Sequence, residues 1–380
     1  MPLPQLAPPL QLSGPRHIKF RGRRLLYFGG CDYFRLSSSP RVVSALRKGL
    51  NRFGLSVSAS RMTTGNHPLY VKLEKQLAQF FQVQSATLSP NGWSANLMAA
   101  QALAGEFSRA FVDSRSHPSI LDAAQYLNCP VTKFLHRDPA DLQRKLRASR
   151  GSRFIILTDG LFAHSGALAP LDQYAAILPS RSLLLIDEAH SAGVLGPHGR
   201  GAAELLGIPL RKCIQTITLS KAFGVFGGAV LGPRKLRTQI LSRSPLFTGS
   251  TPLPLPLAAA ALESISILKA NPALRTRLCS NLAFLRNALD LGDCPQHPGP
   301  ILAFTPASSA EVAEVRKHLL RAGIFPTFIR YPGGAKSGFY RFAISSAHRR
   351  GDLLKFARAM QPFAKGNWSP ADLAEPNSLA

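Results

Sequence analysis

Hydrophobic and polar positions along the chain follow two different repeats. Over residues 40–53 and 69–81, apolar side chains recur every three or four positions, which predicts amphipathic helices. Further on, helical stretches such as 94–104 and 119–127 alternate with short apolar runs. These runs are residues 86–89, 110–112, 154–158, 183–186, 216–219 and 229–231. Continuous apolar strands that alternate with helices predict an α/β fold with a mostly parallel sheet.

The last third of the chain predicts a second, smaller domain. A proline-rich segment, 252–256, leads into a long helix over 257–269. A strand at 301–305, a helix at 309–322, a strand at 341–345 and a final helix follow, which is typical of an α+β domain. We therefore expect an N-terminal arm and first helix over 1–50, with the first ~25 residues mobile. A large domain over 51–255, a small C-terminal domain over 256–366 and a loose polar tail over 367–380 complete the prediction.

The charge balance favours polyanionic partners. The 380 residues include 46 basic and 20 acidic ones, which gives a net charge of +26. Such a field attracts nucleic acid, an acidic carrier protein or the phosphates of coenzyme A. The basic residues form only short clusters, and neither an RNA-binding signature nor zinc-finger spacing occurs. We therefore expect no nucleic-acid partner, and a basic solvated surface is the alternative to a functional one.

The cysteines and the apolar stretches indicate a cytoplasmic protein. Five widely separated cysteines without a CxxC pair predict neither a disulfide framework nor a metal site. The N-terminal residues lack the basic start and apolar block of a signal peptide. The longest apolar stretch, 252–268, is interrupted by three prolines and Glu263, so no membrane span is expected.

Two strand ends carry candidate chemistry. Asp187 ends an apolar strand in LLLIDEAHSAGVLGPHGRG, and His190 follows. A buried carboxylate requires a partner, which a protonated pyridine nitrogen or the N–H groups of the following turn would supply. Lys221 ends the strand of TITLSKAFGVFGGAV, before a glycine-rich turn. A partly desolvated lysine there can form an imine with a carbonyl ligand, whereas an isolated lysine is usually a solvated surface group.

Three further positions suit a phosphate-bearing ligand and an amino acid. Gly92 and Trp93 lie between a strand and a helix, where free N–H groups meet phosphate. His117 in DSRSHPSI could stack on a cofactor ring or cap a helix. Arg341, at the start of a small-domain strand, could grip a carboxylate or form a surface ion pair.

The order and spacing of four blocks resemble the α-oxoamine synthase family. The blocks are SASRMTTGN from Ser58, LIDEAHSAGVLGPHGRG, TLSKAFGVFGGAV and RFAISSAH from Arg341. The resemblance covers nearly the whole chain and implies a PLP fold-type I (aspartate-aminotransferase-like) structure, a homodimer and pyridoxal 5'-phosphate as cofactor. It also implies a decarboxylating condensation of a small amino acid with the acyl thioester of coenzyme A or an acyl-carrier protein.

The resemblance implies a role for each matching residue. Lys221 is the Schiff-base lysine, Asp187 the pyridinium partner, His190 the donor to the ring hydroxyl and His117 the stacking imidazole. The resemblance also assigns phosphate contacts and substrate contacts. The phosphate contacts are Gly92, Trp93, Thr218 and, from the neighbouring subunit, Thr248 and Ser250, and the substrate carboxylate contact is Arg341.

Three departures from the family pattern lie on the substrate side. Cys31 stands where the family has an asparagine that holds the amino-acid carboxylate, and a thiol is the weaker donor. Tyr70 replaces a frequent histidine, and Ala163 replaces a serine. We expect Cys31 and Tyr70 to be substrate-side residues.

The resemblance is strongest to the alanine-using synthases of 8-amino-7-oxononanoate, a biotin precursor. Glycine- or serine-using relatives, of the 2-amino-3-ketobutyrate ligase or serine palmitoyltransferase type, are the first alternative. Another fold-type I enzyme such as an aminotransferase, and a non-catalytic partner subunit, are the others.

Overall fold

The structure is a computed structural model, and it describes residues 7–292, 295–330 and 338–368. Its strands are β1 (Gln11–Leu12), β2 (His17–Phe20), β3 (Arg23–Leu26), β4 (Ser85–Ser89), β5 (Arg109–Asp113), β6 (Val131–Phe134), β7 (Phe154–Asp159), β8 (Leu183–Asp187), β9 (Cys213–Thr218), β10 (Gly228–Gly232), β11 (Ile301–Thr305), β12 (Phe328–Ile329), β13 (Phe339–Ala343) and β14 (Asn367–Trp368). Its helices are α1 (Pro40–Phe53), α2 (Pro68–Phe81), α3 (Gly92–Ala102), α4 (Pro118–Gln125), α5 (Pro139–Arg147), α6 (Leu171–Ile177), α7 (Ala202–Leu205), α8 (Arg234–Arg243), α9 (Pro245–Gly249), α10 (Leu255–Ala270), α11 (Ala273–Ala288), α12 (Ser309–Arg321) and α13 (Arg350–Met360).

The chain divides into two compact units. The larger comprises Cys31–Thr276 with Pro295–Gly299. The smaller comprises the described residues up to Gly30, those from Arg277 to 292 and those from Pro300 onward. The predicted boundary at residue 256 therefore differs from the observed division, because α10 packs on α1 and α2 in the larger unit. A Cβ on Gly49 of α1 would lie 2.9 Å from the Cα of Pro256, so glycine permits this close packing.

A mostly parallel sheet forms the larger unit, as predicted. The described residues give the strand order β4-β10-β9-β8-β7-β5-β6. β10 runs antiparallel to both of its neighbours, and the remaining pairs are parallel. The central strands β7, β8 and β9 are buried along nearly their whole length, which explains their continuous apolar sequence.

Two sequence blocks hold loops against this sheet. Arg61 forms an ion pair with Glu74 of α2, and Glu74 accepts the Leu88 N–H of β4 at 3.0 Å. Glu188, which is fully buried, accepts the N–H groups of Ala202 and Ala203 at 2.7 and 2.9 Å. Each carboxylate thus accepts backbone N–H groups, one in β4 and two at the start of α7, and so satisfies their need for a hydrogen-bond partner.

The smaller unit contains a sheet of order β12-β13-β11-β14 and a separate antiparallel sheet β1-β2-β3. The prediction of a mobile N-terminal arm was wrong for its described residues, because β2 and β3 pair over four residues each and Leu26 bridges to Ile324. The hairpin of β2 and β3 was not predicted, because its strands are short and its turns are polar. The predicted strand over 341–345 lies two residues earlier, since Ser345 enters a turn in which its N–H meets His348 Nδ1 at 3.0 Å.

Asn367 and Trp368 pair with β11, so the predicted loose tail begins with ordered residues, and residues 369–380 lie outside the description. Four cysteines are free thiols, and Cys294 lies outside the described residues. No helix in the described part has the length and apolar character that crossing a bilayer requires.

The turn after Lys221 yields a stability prediction. Gly224 has φ +66°, and a Cβ there would lie 2.3 Å from the backbone N of Ser37. Because that neighbour is backbone, Gly224→Ala should destabilise the protein by about 2–5 kcal/mol, from left-handed strain and overlap together. Gly207→Ala is the matched control, since Gly207 has φ +64° and open space around it. It should cost only about 1–2 kcal/mol. Thermal unfolding midpoints compare the two, and equal shifts would contradict the proposed overlap.

Candidate active site

The candidate site lies at the carboxyl ends of the strands β4, β5, β7, β8 and β9 of the large sheet, and we call this side of the sheet the sheet edge. The register places Asp159 beside Asp187 and Asp187 beside Thr216 on neighbouring strands. Ligands of such sheets bind outside the carboxyl ends of the strands. Strand pairing therefore places the predicted Asp187 between Asp159 and Thr216.

Asp187 is buried, with 6% of its surface exposed. Its Oδ1 accepts the Ala189 N–H at 2.8 Å, and its Oδ2 accepts an N–H of the Asn96 amide at 2.7 Å. The turn after β8 therefore does supply one donor, as the helix-cap alternative proposed. The second donor comes from α3, so the side chain of Asp187 is held by two separate elements.

Lys221 follows β9 and opens a turn in which its carbonyl accepts the Gly224 N–H at 3.0 Å. Its ammonium acts on two neighbouring groups. Burial lowers the pKa of His117, the Asp187 carboxylate opposes this shift and the Lys221 charge adds to it. Burial raises the pKa of Asp159 well above its usual range, the Asp187 charge raises it further, and Lys221 lowers it. The structure therefore brings together Lys221, Asp187, His117 and Asp159.

His117 caps α4, and its ring also faces the site. Its backbone N–H donates to Asp159 Oδ2 at 2.8 Å, and its Nδ1 accepts the Ser119 N–H at 3.2 Å. The Trp93 ring, which is 42% exposed, meets the imidazole edge to face at 5.6 Å between centroids. Both interpretations of His117, cap and ring-stacking residue, fit this position.

The N-terminus of α3 forms a cradle with β9. Asn91 caps the helix by accepting the Ser94 N–H at 2.8 Å. A Cβ on Gly92 would lie 2.9 Å from the Thr218 Cβ, so only glycine allows this approach. The Thr218 hydroxyl accepts the Ser220 N–H at 3.2 Å. Free N–H groups and a hydroxyl beside a helix N-terminus suit a phosphate.

His190 lies three residues beyond Asp187 and is buried. Its Nδ1 is 2.7 Å from the Tyr33 hydroxyl, which comes from the loop that contains Cys31. Tyr33 is only 1% exposed, so its ring is held by packing. Its hydroxyl therefore has a fixed position, and the hydrogen bond to it orients the imidazole.

Three further predicted residues, Tyr70, Thr248 and Ser250, make hydrogen bonds with backbone groups. Tyr70 is fully buried, and its hydroxyl donates to the Leu253 carbonyl at 2.6 Å. Burial raises its pKa to about 12, so it stays neutral. The Thr248 carbonyl accepts the Ser60 hydroxyl at 2.6 Å, and the Ser250 hydroxyl donates within α9 and its C-terminal turn. The substrate role of Tyr70 and the phosphate roles of Thr248 and Ser250 stay predictions.

Cys31 is partly exposed, and its carbonyl accepts the Tyr33 N–H at 3.0 Å. Arg341 belongs to β13 of the smaller unit, where its backbone pairs with Ala303 and Thr327. Their predicted substrate roles also stay predictions. No group of three or more metal-binding side chains occurs within the described ranges.

Sequence reasoning missed the polar residues behind the site, namely Tyr33, Asn96, Ser119, Asp159 and Thr216. A signal existed for Asn96, which is an amide within the otherwise apolar helix segment from Ala95 to Ala100. A fully buried polar side chain in such a helix requires a partner. For Tyr33, 157 residues from His190 in sequence, no local pattern identifies the partner.

Comparison with known proteins agrees with this geometry. The model of the family "Aminotransferase class I and II" matches residues 28–360. An 8-amino-7-oxononanoate synthase from Anaeromyxobacter dehalogenans is 33% identical over 90% of this chain and 87% of its own length.

Two solved structures have the same fold. Serine palmitoyltransferase from S. paucimobilis with a bound PLP–myriocin aldimine is 26% identical, with a TM-score of 0.86 over 93% of this chain and 91% of the other. The 8-amino-7-oxononanoate synthase from Francisella tularensis is also 26% identical, with a TM-score of 0.76 over 90% and 97%. The chain therefore belongs to the aminotransferase class I and II family and, within it, to the α-oxoamine synthases.

Proposed function

We propose that this chain catalyses the decarboxylating condensation of L-alanine with an acyl thioester, as in 8-amino-7-oxononanoate synthesis for biotin. The observation that carries the proposal is the 33% identity to such a synthase over most of both chains. The enzyme is a pyridoxal-phosphate-dependent acyltransferase of the α-oxoamine synthase type. The meeting of Lys221, Asp187 and His117 at one sheet edge supports this assignment.

The residues present fit pyridoxal phosphate. The cradle between Gly92 and Thr218 admits a phosphate where a Cβ would close it. Asp187, held as a carboxylate by two N–H donors, would face the pyridine nitrogen. His117 would stack on the ring, and His190 would meet the ring hydroxyl. When bound, the cofactor serves as an electron sink for negative charge at the substrate Cα.

The chain's own residues would hold the cofactor, transfer the proton and bind the substrate. The Lys221 amine would hold the cofactor, then take the Cα proton from the substrate and later return it to the product. Arg341 would bind the amino-acid carboxylate, and Cys31 would line the substrate side. The lowered pKa of His117 keeps its imidazole neutral, which suits stacking on a cationic ring.

A glycine- or serine-using condensation is the second candidate. The structural similarity to a serine palmitoyltransferase, with a TM-score of 0.86, favours it. Cys31 and Ala163 also differ from the family pattern on the side where the amino acid would bind. An aminotransferase would transfer the amino group without any thioester. A non-catalytic partner subunit would not catalyse a reaction with either substrate.

We also propose a homodimer in the cytoplasm. Several large apolar side chains of the larger unit are exposed, including Leu55 at 76%, Val71 at 52% and Phe226 at 52%. Burial of such side chains between two copies of the chain would be favourable. The free thiols of the described cysteines fit a reducing compartment.

The deciding experiment is a substrate panel. Purified protein loaded with pyridoxal phosphate is mixed with alanine, glycine or serine and with short- and long-chain acyl thioesters, and the products are identified by mass spectrometry. We expect an alanine-derived amino ketone and carbon dioxide. Lys221→Ala should lower the rate by at least about a hundredfold, because the proton-transfer group is lost. Product from glycine or serine alone would move the assignment to the second candidate, and amino-group transfer without a thioester would contradict both.

Gly92→Ala tests the phosphate cradle. The added methyl group would overlap Thr218 and narrow the space for phosphate. We expect the affinity for pyridoxal phosphate to fall by about tenfold or more, measured by equilibrium dialysis. Gly351→Ala, at a helical glycine with open space in the smaller unit, is the matched control and should leave the affinity unchanged. Equal affinities for both variants would place the phosphate elsewhere.

The positive charge predicts a salt-sensitive thioester reaction. With a net charge of +26, the protein should attract the phosphates of coenzyme A or an acidic carrier. Raising the ionic strength from about 0.01 M to about 0.15 M shortens the Debye length from about 30 Å to about 8 Å. The KM for acyl-coenzyme A should therefore rise, whereas the KM for an uncharged N-acetylcysteamine thioester should not. A KM that is independent of salt for both donors would show that the basic surface does not contribute to thioester binding.

A further inference from the structure

The carboxylate of Asp187 and the imidazole of His117 are connected by a chain of buried side chains. The connection runs through Asn96 on α3 and Ser119 on α4, and Thr216 on β9 donates to the Asn96 amide; the three residues are 0%, 2% and 1% exposed. We name these three residues the amide relay. Nothing in the motif blocks pointed to them, since each lies outside the residues that the resemblance assigns.

The orientation of the Asn96 amide follows from its neighbours. One end of the amide is 2.7 Å from an oxygen of Asp187, and the other accepts the Thr216 hydroxyl. A carbonyl oxygen facing the Asp187 carboxylate at that distance would be repulsive, so the NH₂ group faces the carboxylate. Its second N–H donates to Ser119 Oγ at 2.9 Å.

The Ser119 hydroxyl extends this hydrogen-bond network to His117. Because its oxygen accepts from Asn96, its own hydrogen is directed to His117 Nδ1 at 2.7 Å. The Ser119 backbone N–H points at the same nitrogen from 3.2 Å. Two donors at Nδ1 require an unprotonated nitrogen there, so the ring proton lies on Nε2.

We propose that Asn96 is a positioning residue that sets two groups at once: it holds Asp187 in place as a carboxylate, and through Ser119 it selects the Nε2–H form of His117. The inference rests on the proposed function insofar as these two groups bracket the cofactor ring. It goes further by making their geometry interdependent. A change at one end of the relay alters the group at the other end.

The tautomer can be measured without any cofactor. In protein labelled with ¹⁵N-histidine, the His117 ring nitrogens are assigned by comparison with His117→Gln. Without pyridoxal phosphate at neutral pH, we expect an unprotonated Nδ1 and a protonated Nε2. Ser119→Ala removes one of the two donors and should shift population toward the Nδ1–H form, and Ser119→Thr should restore the original spectrum.

Asn96→Ala tests the other end. Loss of a hydrogen bond to a charged group should weaken pyridoxal phosphate binding by about tenfold or more. It should also change the His117 spectrum, although Asn96 does not contact His117 in any of the relay's hydrogen bonds. Asn281→Ala is the matched control, because the Asn281 amide also donates two hydrogen bonds, at 2.9 and 3.0 Å, but in the smaller unit. It should lower the thermal midpoint and leave both readouts unchanged.

The outcomes separate the relay from the proposed function. An Nδ1–H ring in the unmodified protein, or an unchanged His117 spectrum in both Ser119→Ala and Asn96→Ala, overturns the relay. If pyridoxal phosphate does not bind but the spectra change as expected, the relay stands and the proposed function fails. Should Asn96→Ala not fold, Ser119→Ala and its threonine rescue decide the question alone.

Discussion

The pairing of β7, β8 and β9 is the constraint on which the rest of the site depends. Its register sets Asp159, Asp187 and Thr216 side by side at the end of three buried strands. Carboxylates in such a position are costly unless donors reach them. The backbone N–H of His117 serves Asp159, and the Asn96 amide with the Ala189 N–H serves Asp187. Helices α3 and α4 pack through apolar side chains against each other and against the sheet, and they begin at Gly92 and directly after His117.

The two carboxylates differ because their surroundings differ. Asp187 receives two hydrogen bonds, whereas Asp159 is fully enclosed next to the Asp187 charge, and its pKa rises well above the usual range. The Lys221 charge acts against this rise. The strand register thus places two neighbouring carboxylates side by side and gives them different hydrogen-bond donors.

The sequence predicted the parts of this arrangement that local patterns encode. The strands β5, β7 and β8 and the helices α1 to α4 were predicted within two residues of their observed bounds, because apolar periodicity reflects burial directly. Strand β9 begins three residues before its predicted start. Lys221, Asp187 and His117 were found because each ends or follows an apolar strand. Asn96 and Asp187 are 91 residues apart, and their hydrogen bond exists only once α3 packs on β9 and β10. The hairpin of β2 and β3 escaped prediction because its strands are short and carry Arg23 and Arg24 beside apolar residues.

The location of the departures from the family pattern follows from the same constraint. Residues at the sheet edge are held by strand pairing and by side chains whose hydrogen bonds come from several elements, so a change at Asp187 or Asn96 would leave buried polar groups without partners. Cys31 and Ala163 lie in loops before α1 and after β7, outside the strands. A substitution there alters the shape and polarity of the adjoining space without breaking the ladder. Strand pairing therefore constrains Asp187 and Thr216, whereas Cys31 and Ala163 lie where the sequence can change without loss of a strand-pairing hydrogen bond.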